Sequence, residues 1–296
     1  MGEKLARRGR SNRLRIATAG IAAASALLTA CADTAPHAPH GSGQASGSGL
    51  PSAHVHGITI DPTDGAVLLA THDGLFRLDE WAGAKLVSPA IDLMGFAVTG
   101  SGRFLASGHP GPGVDLPQPV GLIESTDSGA TWQTLSRAGQ SDFHALAVSD
   151  GGLLGFDGSL WSSADGLAWD RLSIPAQPHS LASAPDGQAV LATTESRVLR
   201  STDVGRTWDR IPDAPLLQVL AWGAGDTVVG ATPSGQVAVS TDAGGAWTIR
   251  GSLGAAPQAV AVATTAHGDL RILVVTTQEV LESFDGGATF SALRTD

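Results

Sequence analysis

Three features of this 296-residue chain predict an all-β fold, a β-propeller of six four-stranded blades. One eight-residue phrase returns five times, short apolar runs precede it, and Gly, Pro and Asp punctuate the intervals. A period of about 40 residues with turn chemistry at a fixed phase marks stacked supersecondary units. The complete phrase, Ser-x-Asp-x-Gly-x-Thr-Trp, stands at Ser125–Trp132 and Ser201–Trp208. Ser240–Trp247 has Ala246 in place of Thr, and Ser283–Phe290 has Phe in place of Trp. A fifth copy, read from Ser162 to Trp169, lacks the Asp. Successive serines are 37, 39, 39 and 43 residues apart.

The elements follow in order. The first unit has no phrase but keeps the strand pattern: His54–Ile60, Gly65–Thr71, Gly74–Leu78 and Ala84–Val87. Later units open near 93, 142, 178, 216 and 256. The runs before the phrases are Gly121–Glu124, Arg197–Arg200, Gln236–Val239 and Glu279–Glu282. Four short strands per unit with Gly/Pro/Asp turns make a propeller blade. Seven blades are the alternative, and no segment supplies a seventh. The last outer strand, Phe290–Arg294, ends the chain, so closure is expected by contact of blades one and six, without a shared strand.

The phrase itself fits a tight hairpin turn. Its Asp accepts hydrogen bonds from backbone N–H groups of its own turn. Its Gly adopts a positive φ at little cost. Its Thr re-enters a strand, and its Trp buries a large ring against the next sheet. The expected role is structural, on the rim.

The first thirty residues read as a targeting segment. Lys4, Arg7, Arg8, Arg10, Arg13 and Arg15 form a basic region, and Ile16–Ala30 is an apolar run too short to span a bilayer. It ends in Leu28-Thr29-Ala30-Cys31, which resembles a bacterial lipobox, so lipidation of Cys31, the sole cysteine, is expected. A plain signal peptide cut nearby is the alternative. Residues 31–53 then form a flexible Gly/Ser/Ala/Pro/His tether, and 54–296 the propeller. The expected location is the outer face of the cell membrane, held by lipid. Loss of residues 1–30 removes six basic residues and Glu3 from totals of 18 and 28, leaving 12 and 27, a net charge of −15. Such acidity argues against nucleic acid and anionic lipid as partners.

The register of the blades aligns the start of each inner strand. One column then reads His56, Met94, His144, His179, Gln218 and Gln258, a ring of polar and soft side chains around the channel. Antiparallel pairing returns the end of strand two to the same face, bringing His72 and His109 there together with His54. The remaining histidines are His37 and His40 in the tether and His267 in a hairpin. The Pro/Gly-rich loop Pro110–Pro119 is expected to overhang this face. Imidazoles with a thioether suit copper or zinc better than calcium or magnesium. The metal candidates are therefore His56, Met94, His144, His179, His72 and His109, with His54, Gln218 and Gln258 as ligand-binding candidates. The alternatives are a water-filled polar channel and a site for a small molecule. His54 and His56 point to one side of a strand, too far apart to share a ligand unless the strand bends.

The phrase is similar to the Asp-box, or BNR repeat, of sialidase-like β-propellers. Residues 54–296 resemble bacterial BNR-repeat lipoproteins catalogued as sialidase-like glycosyl hydrolases, notably in His54-Val-His-Gly, Met94-Gly-Phe, Ser107-Gly-His-Pro and Asp142-Phe-His-Ala-Leu. The resemblance implies a propeller and, by label, a hydrolase. Sialidases use a tyrosine nucleophile and an arginine triad. This chain has no tyrosine. Arg137, Arg206, Arg210, Arg250 and Arg294 fall in or just after the phrases, on the expected rim. A glycosidase using two carboxylates remains, with Asp142 and Asp73 as catalytic candidates ahead of Asp115, Asp157 and Glu195. Asp142 and Asp73 could equally orient the neighbouring His144 and His72. Three readings follow: a surface lipoprotein binding a small molecule, glycan, metal or protein; a carboxylate-pair hydrolase; and a metal-dependent enzyme or carrier.

Overall fold

The structure, a computed structural model, describes residues 51–293 apart from 52, 80–82 and 266. Cys31, the expected leader, most of the expected tether and Arg294 lie outside the described residues. Those residues contain no helix and form six antiparallel sheets of four strands, each built from four consecutive strands. The first strands are Val55–Ile60, Ile91–Gly100, Ala145–Ser149, Pro178–Ser183, Val219–Trp222 and Pro257–Thr264. They touch one another in cyclic order, the sixth returning to the first, so they line the axis of a six-bladed β-propeller.

Closure needs no shared strand. Val55, Leu69 and Phe76 of blade one pack with Ala259, Leu273 and Val275 of blade six in one buried cluster. Burial of each large apolar side chain contributes roughly 1.5–3 kcal/mol. Each other junction between blades has its own cluster. The second strands, such as Val67–Thr71 and Val190–Thr194, are buried along their whole length, hence their unbroken apolar runs.

The repeated phrase joins strands three and four. In the copy at 125, Ser125 Oγ donates to Asp127 Oδ1 (2.8 Å) and accepts from Gly129 N–H (2.8 Å). Asp127 in turn accepts from Thr131 N–H (2.9 Å) and Thr131 Oγ1 (2.6 Å). The threonine therefore completes the turn, and the outer strand begins only after the tryptophan, at Gln133. In the four copies with the full spacing, the residue before the glycine is also left-handed, at φ 60° for Ser128, 58° for Val204, 58° for Ala243 and 71° for Gly286. Gly129 needs to be glycine for a second reason: an added Cβ would stand 2.6 Å from Leu75 Cδ2 in the preceding blade.

Three expectations are corrected here. The tryptophans cap the junction with the preceding blade. Trp132 packs on the cluster of blades one and two, Trp208 on that of three and four, and Trp247 on that of four and five. The fifth copy has its aspartate, one residue out of the assumed register. Ser163 Oγ lies 3.3 Å from Asp165 Oδ1 and accepts from Gly166 N–H (2.8 Å), while Asp165 accepts from Leu167 N–H (2.8 Å). One residue is missing between Asp and Gly, and the tighter turn keeps its serine and backbone bonds to Asp165 while losing the threonine hydroxyl's, since Ala168 stands in that place. Arg137 belongs to the other end of the blade, described below.

Candidate functional site

The start of strand one pairs with the end of strand two, as Val55 does with Thr71. Both ends lie opposite the phrases, and together they form one mouth of the channel. A register shift falls at the ring position in four inner strands: between Val55 and Gly57, Leu93 and Gly95, Pro178 and Ser180, and Pro257 and Ala259. His56, Met94, His179 and Gln258 are thus bulge residues. A bulge bends its strand and re-aims the extra side chain. This supplies the bend that His54 and His56 need, and their rings sit 4.9 Å apart, edge to face.

A cavity of about 540 Å³ opens at this mouth, lined by His54, His56, Met94, His144, His179 and Gln258, with Asp157 and Gln177 at its side. Below it the channel narrows to about 160 Å³ between small residues such as Gly57, Gly95, Ala145 and Ala259. Gln218 is absent from both linings; its Nε2 donates to Pro257 O (3.0 Å), tying blades five and six.

Two imidazole–carboxylate clusters occupy consecutive blade junctions. In the first, His72 Nδ1 lies 3.0 Å from Asp92 Oδ2, His56 Nε2 lies 3.4 Å from Asp92 Oδ1, and the two imidazole nitrogens are 3.3 Å apart. The three come from the inner-strand bulge of blade one, the strand two–three turn of blade one, and the inner strand of blade two. Thr71 holds the turn: Asp73 N–H donates to its Oγ1 (3.0 Å), which donates to Gly74 O (2.9 Å). In the second cluster, Asp142 Oδ2 takes His144 Nε2 (2.7 Å) and His109 Nε2 (2.9 Å). Asp92 Oδ1, Asp142 Oδ1 and His109 Nδ1 are buried with no hydrogen-bond partner.

Burial raises the Asp92 carboxyl, and the adjoining His56 and His72 imidazoles outweigh it, so the group rests below the usual carboxylate value. Burial, together with the like charge of His56 and His72, lowers His54, against a smaller opposing pull from Asp92. Nε2 of Gln258 stands 2.9 Å from His54 Nδ1. An amide donating there leaves the imidazole proton on Nε2.

Arg137 was expected on the rim, but the chain between strand four and the next strand one returns to the mouth. Its Nε donates to Ser141 Oγ (2.6 Å), its guanidinium lies 3.8 Å from the Trp161 ring centroid, and Nη2 is 3.8 Å from Asp157 Oδ2. Asp157 also accepts from Ser141 Oγ (2.6 Å) and Trp161 Nε1 (2.9 Å). Arg206 and Arg250 do stay at the phrases, donating to Asp203 O and Gly286 O.

The structure therefore gathers His54, His56, Met94, His144 and His179 around one cavity and sets His72 and His109 against carboxylates beside it. Asp73 stays in its turn, and Glu195 and Asp115 are exposed. Asp92 escaped the sequence reading, although it stands two residues before Met94 as Asp142 stands before His144 and His54 before His56.

The molecule is a six-bladed β-propeller with an imidazole- and carboxylate-rich mouth. No protein-family model and no curated protein sequence matches the chain. Among solved structures, it is similar to the extracellular domain of a hybrid two-component system from B. thetaiotaomicron, at 11% identity and TM-score 0.56, covering 85% of this chain and 34% of that one. It is similar to a chain of the nidogen/laminin complex at 13% identity and TM-score 0.58, covering 76% and 91%. A GH74 enzyme from Niastella koreensis shares 16% identity at TM-score 0.51, covering 81% and 38%. The chain spans about a third of the length of the first of these. At such identities the likeness shows the fold alone.

Proposed function

We propose that this chain is an extracytoplasmic, lipid-anchored binding module of the Asp-box propeller kind, and that it engages its ligand at the imidazole-rich mouth. The observation that carries the reading is the 540 Å³ cavity, where five of the six ring positions converge. Concave sites with a few convergent polar groups are where propellers and other folds take ligands. The serine–aspartate–threonine bonding of the phrases supports the Asp-box resemblance. Cys31 after Leu28-Thr29-Ala30 and the tether beyond it support an anchor on the outer face. An extracellular two-component domain built on a similar scaffold fits that setting at the level of fold. The carboxylate-pair hydrolase draws less support. Asp142 shares one oxygen between two imidazoles, and Asp73 lies in the turn after strand two.

Two experiments test the reading. Labelled palmitate is incorporated by the full chain in a bacterial host and not by Cys31→Ala; equal labelling of both refutes the anchor. In thermal-shift screens against oligosaccharides, organic acids and peptides, at least one class raises the melting temperature, and the rise disappears in His144→Ala/His179→Ala. A rise that persists in that variant places binding elsewhere and overturns the proposal.

A further inference from the structure

We propose that His56, His72 and Asp92 bind one divalent transition-metal ion, zinc or copper, and leave a coordination position open beside the mouth cavity. The inference rests on the mouth being the binding face and names what it holds first. The donor atoms lie within 4.8 Å of one another. The two imidazole nitrogens are 3.3 Å apart, and each faces its own oxygen of Asp92, His72 Nδ1 at 3.0 Å from Oδ2 and His56 Nε2 at 3.4 Å from Oδ1. Metal–nitrogen and metal–oxygen bonds of about 2.0–2.1 Å in tetrahedral geometry place ligand atoms roughly 3.3 Å apart, so the imidazole pair already has the spacing of two ligands of one ion, with the carboxylate edge beside both.

Protons satisfy this arrangement poorly. If His72 Nδ1–H donates to Asp92 Oδ2, His56 Nε2 finds no proton on His72 to accept, and its own N–H reaches Asp92 Oδ1 only at 3.4 Å. Asp92 Oδ1 is left buried and without a hydrogen bond, an unfavourable state for a carboxylate oxygen. One cation among the three donors answers all of these lone pairs together. Two imidazoles and a carboxylate match zinc, copper and nickel, and are a poor set for calcium or magnesium. Three protein ligands leave a fourth position for water or a ligand. His56 is shared between the metal face and the cavity lining, so that position adjoins the cavity. His54, with its proton on Nε2, is placed as a hydrogen-bond donor near the ion and is not a ligand.

The neighbouring cluster is the internal control. There His109 and His144 both aim at the same oxygen of Asp142, at 2.9 and 2.7 Å, which is hydrogen-bond geometry.

The test uses the full chain in detergent, stripped with chelator and titrated with Zn(II) or Cu(II) alone by calorimetry and thermal shift. One equivalent binds at micromolar affinity or tighter and raises the melting temperature by several degrees. His56→Ala, His72→Ala and Asp92→Asn each weaken binding at least 100-fold, whereas His109→Ala changes it less than threefold. His72 is a half-exposed side chain, so His72→Ala without metal melts within about two degrees of wild type and separates lost binding from lost folding. No binding by the wild type refutes the metal site. So does binding that survives His56→Ala and His72→Ala and vanishes in His37→Ala/His40→Ala, which places the ion on the tether. If metal affinity is absent while a screened ligand still depends on His144 and His179, the metal site falls and the binding-module reading stands.

Discussion

Phe143 seats the segment that carries Asp142 and His144, and its removal is a quantitative test of how that segment is held. The side chain is fully buried among Leu105, Leu122 and Leu153, with its ring 4.9 Å from Trp169. Its backbone N–H donates to the buried Ser107 Oγ (2.8 Å). Truncating such a phenylalanine costs about 3–5 kcal/mol, the transfer term plus an unfilled cavity. For a domain of this size each kcal/mol lowers the melting temperature by about 2–4 °C, so Phe143→Ala is expected to melt roughly 6–20 °C early. The opposite perturbation comes from Gly155, where an added Cβ would stand 2.6 Å from the Phe143 ring. Gly155→Ala therefore overpacks the same site and costs about 1–3 kcal/mol. Joined to Phe143→Leu, the new methyl occupies volume that the ring has left. The double variant should then exceed the sum of its parts in stability by about 1 kcal/mol or more. Denaturant unfolding followed by tryptophan fluorescence measures the wild type and the four variants, with an unchanged slope required for the comparison. A loss below about 1 kcal/mol in Phe143→Ala, or strict additivity in the cycle, refutes this account of the seat.

Two further outcomes concern the phrases. Val204 is a β-branched residue at φ 58°, a conformation that costs about 1–2 kcal/mol outside glycine and is eased by asparagine, so Val204→Asn should gain about 1 kcal/mol; no gain contradicts the strain. The phrase aspartates are held below the usual carboxylate value by their hydrogen bonds, led by that from the Thr207 hydroxyl at Asp203, which is lowered to about 2. A depressed carboxyl binds fewer protons folded than unfolded, so its contribution is complete above about pH 4 and is lost as pH falls toward 2. Melting temperatures should drop between pH 4 and 2, less steeply in Asp203→Asn, and an equal drop in both would contradict it.

The architecture was legible because its signal is local and repeated. Asp127, Asp203, Asp242 and Asp285 each bond within four residues of themselves, so their spacing survives in the sequence. The register that these copies set carried over to the inner strands and brought His56, Met94, His144 and His179 to one mouth. What escaped depends on contacts between blades. Asp92 meets His72 across a junction, and nothing local to Ile91-Asp92-Leu93 announces a partner twenty residues back. Arg137 was misplaced because it follows a phrase in sequence but turns toward the next blade in space. Gln218 shares the ring column, yet its amide is taken by Pro257 of the following blade. The copy at 163 was misread for a different reason: a deletion inside a motif shifts a fixed template by one, while the hydrogen bonds simply re-form on Asp165.

The two ends of each blade answer to different constraints. At the phrase end, serine, aspartate and threonine satisfy one another's polar groups, and a tryptophan closes the apolar junction with the blade before. At the mouth, the backbone device repeats while the side chains do not. Four inner strands bulge at the ring position, and the residue presented there is His, Met, His or Gln. A bulge is a backbone feature, kept by the pairing on either side of it, so its side chain can change without altering the strand. Carboxylates enter at only two of the equivalent positions, Asp92 and Asp142, and both leave an oxygen buried without a partner. The serine–aspartate pairing recurs at all five phrases, whereas three of the four buried side-chain atoms without a partner among the described residues lie at the mouth, the fourth being Arg200 Nε. The three mouth atoms sit at the junctions of blades one to three, where the histidines converge, and that is where we propose that the ligand binds.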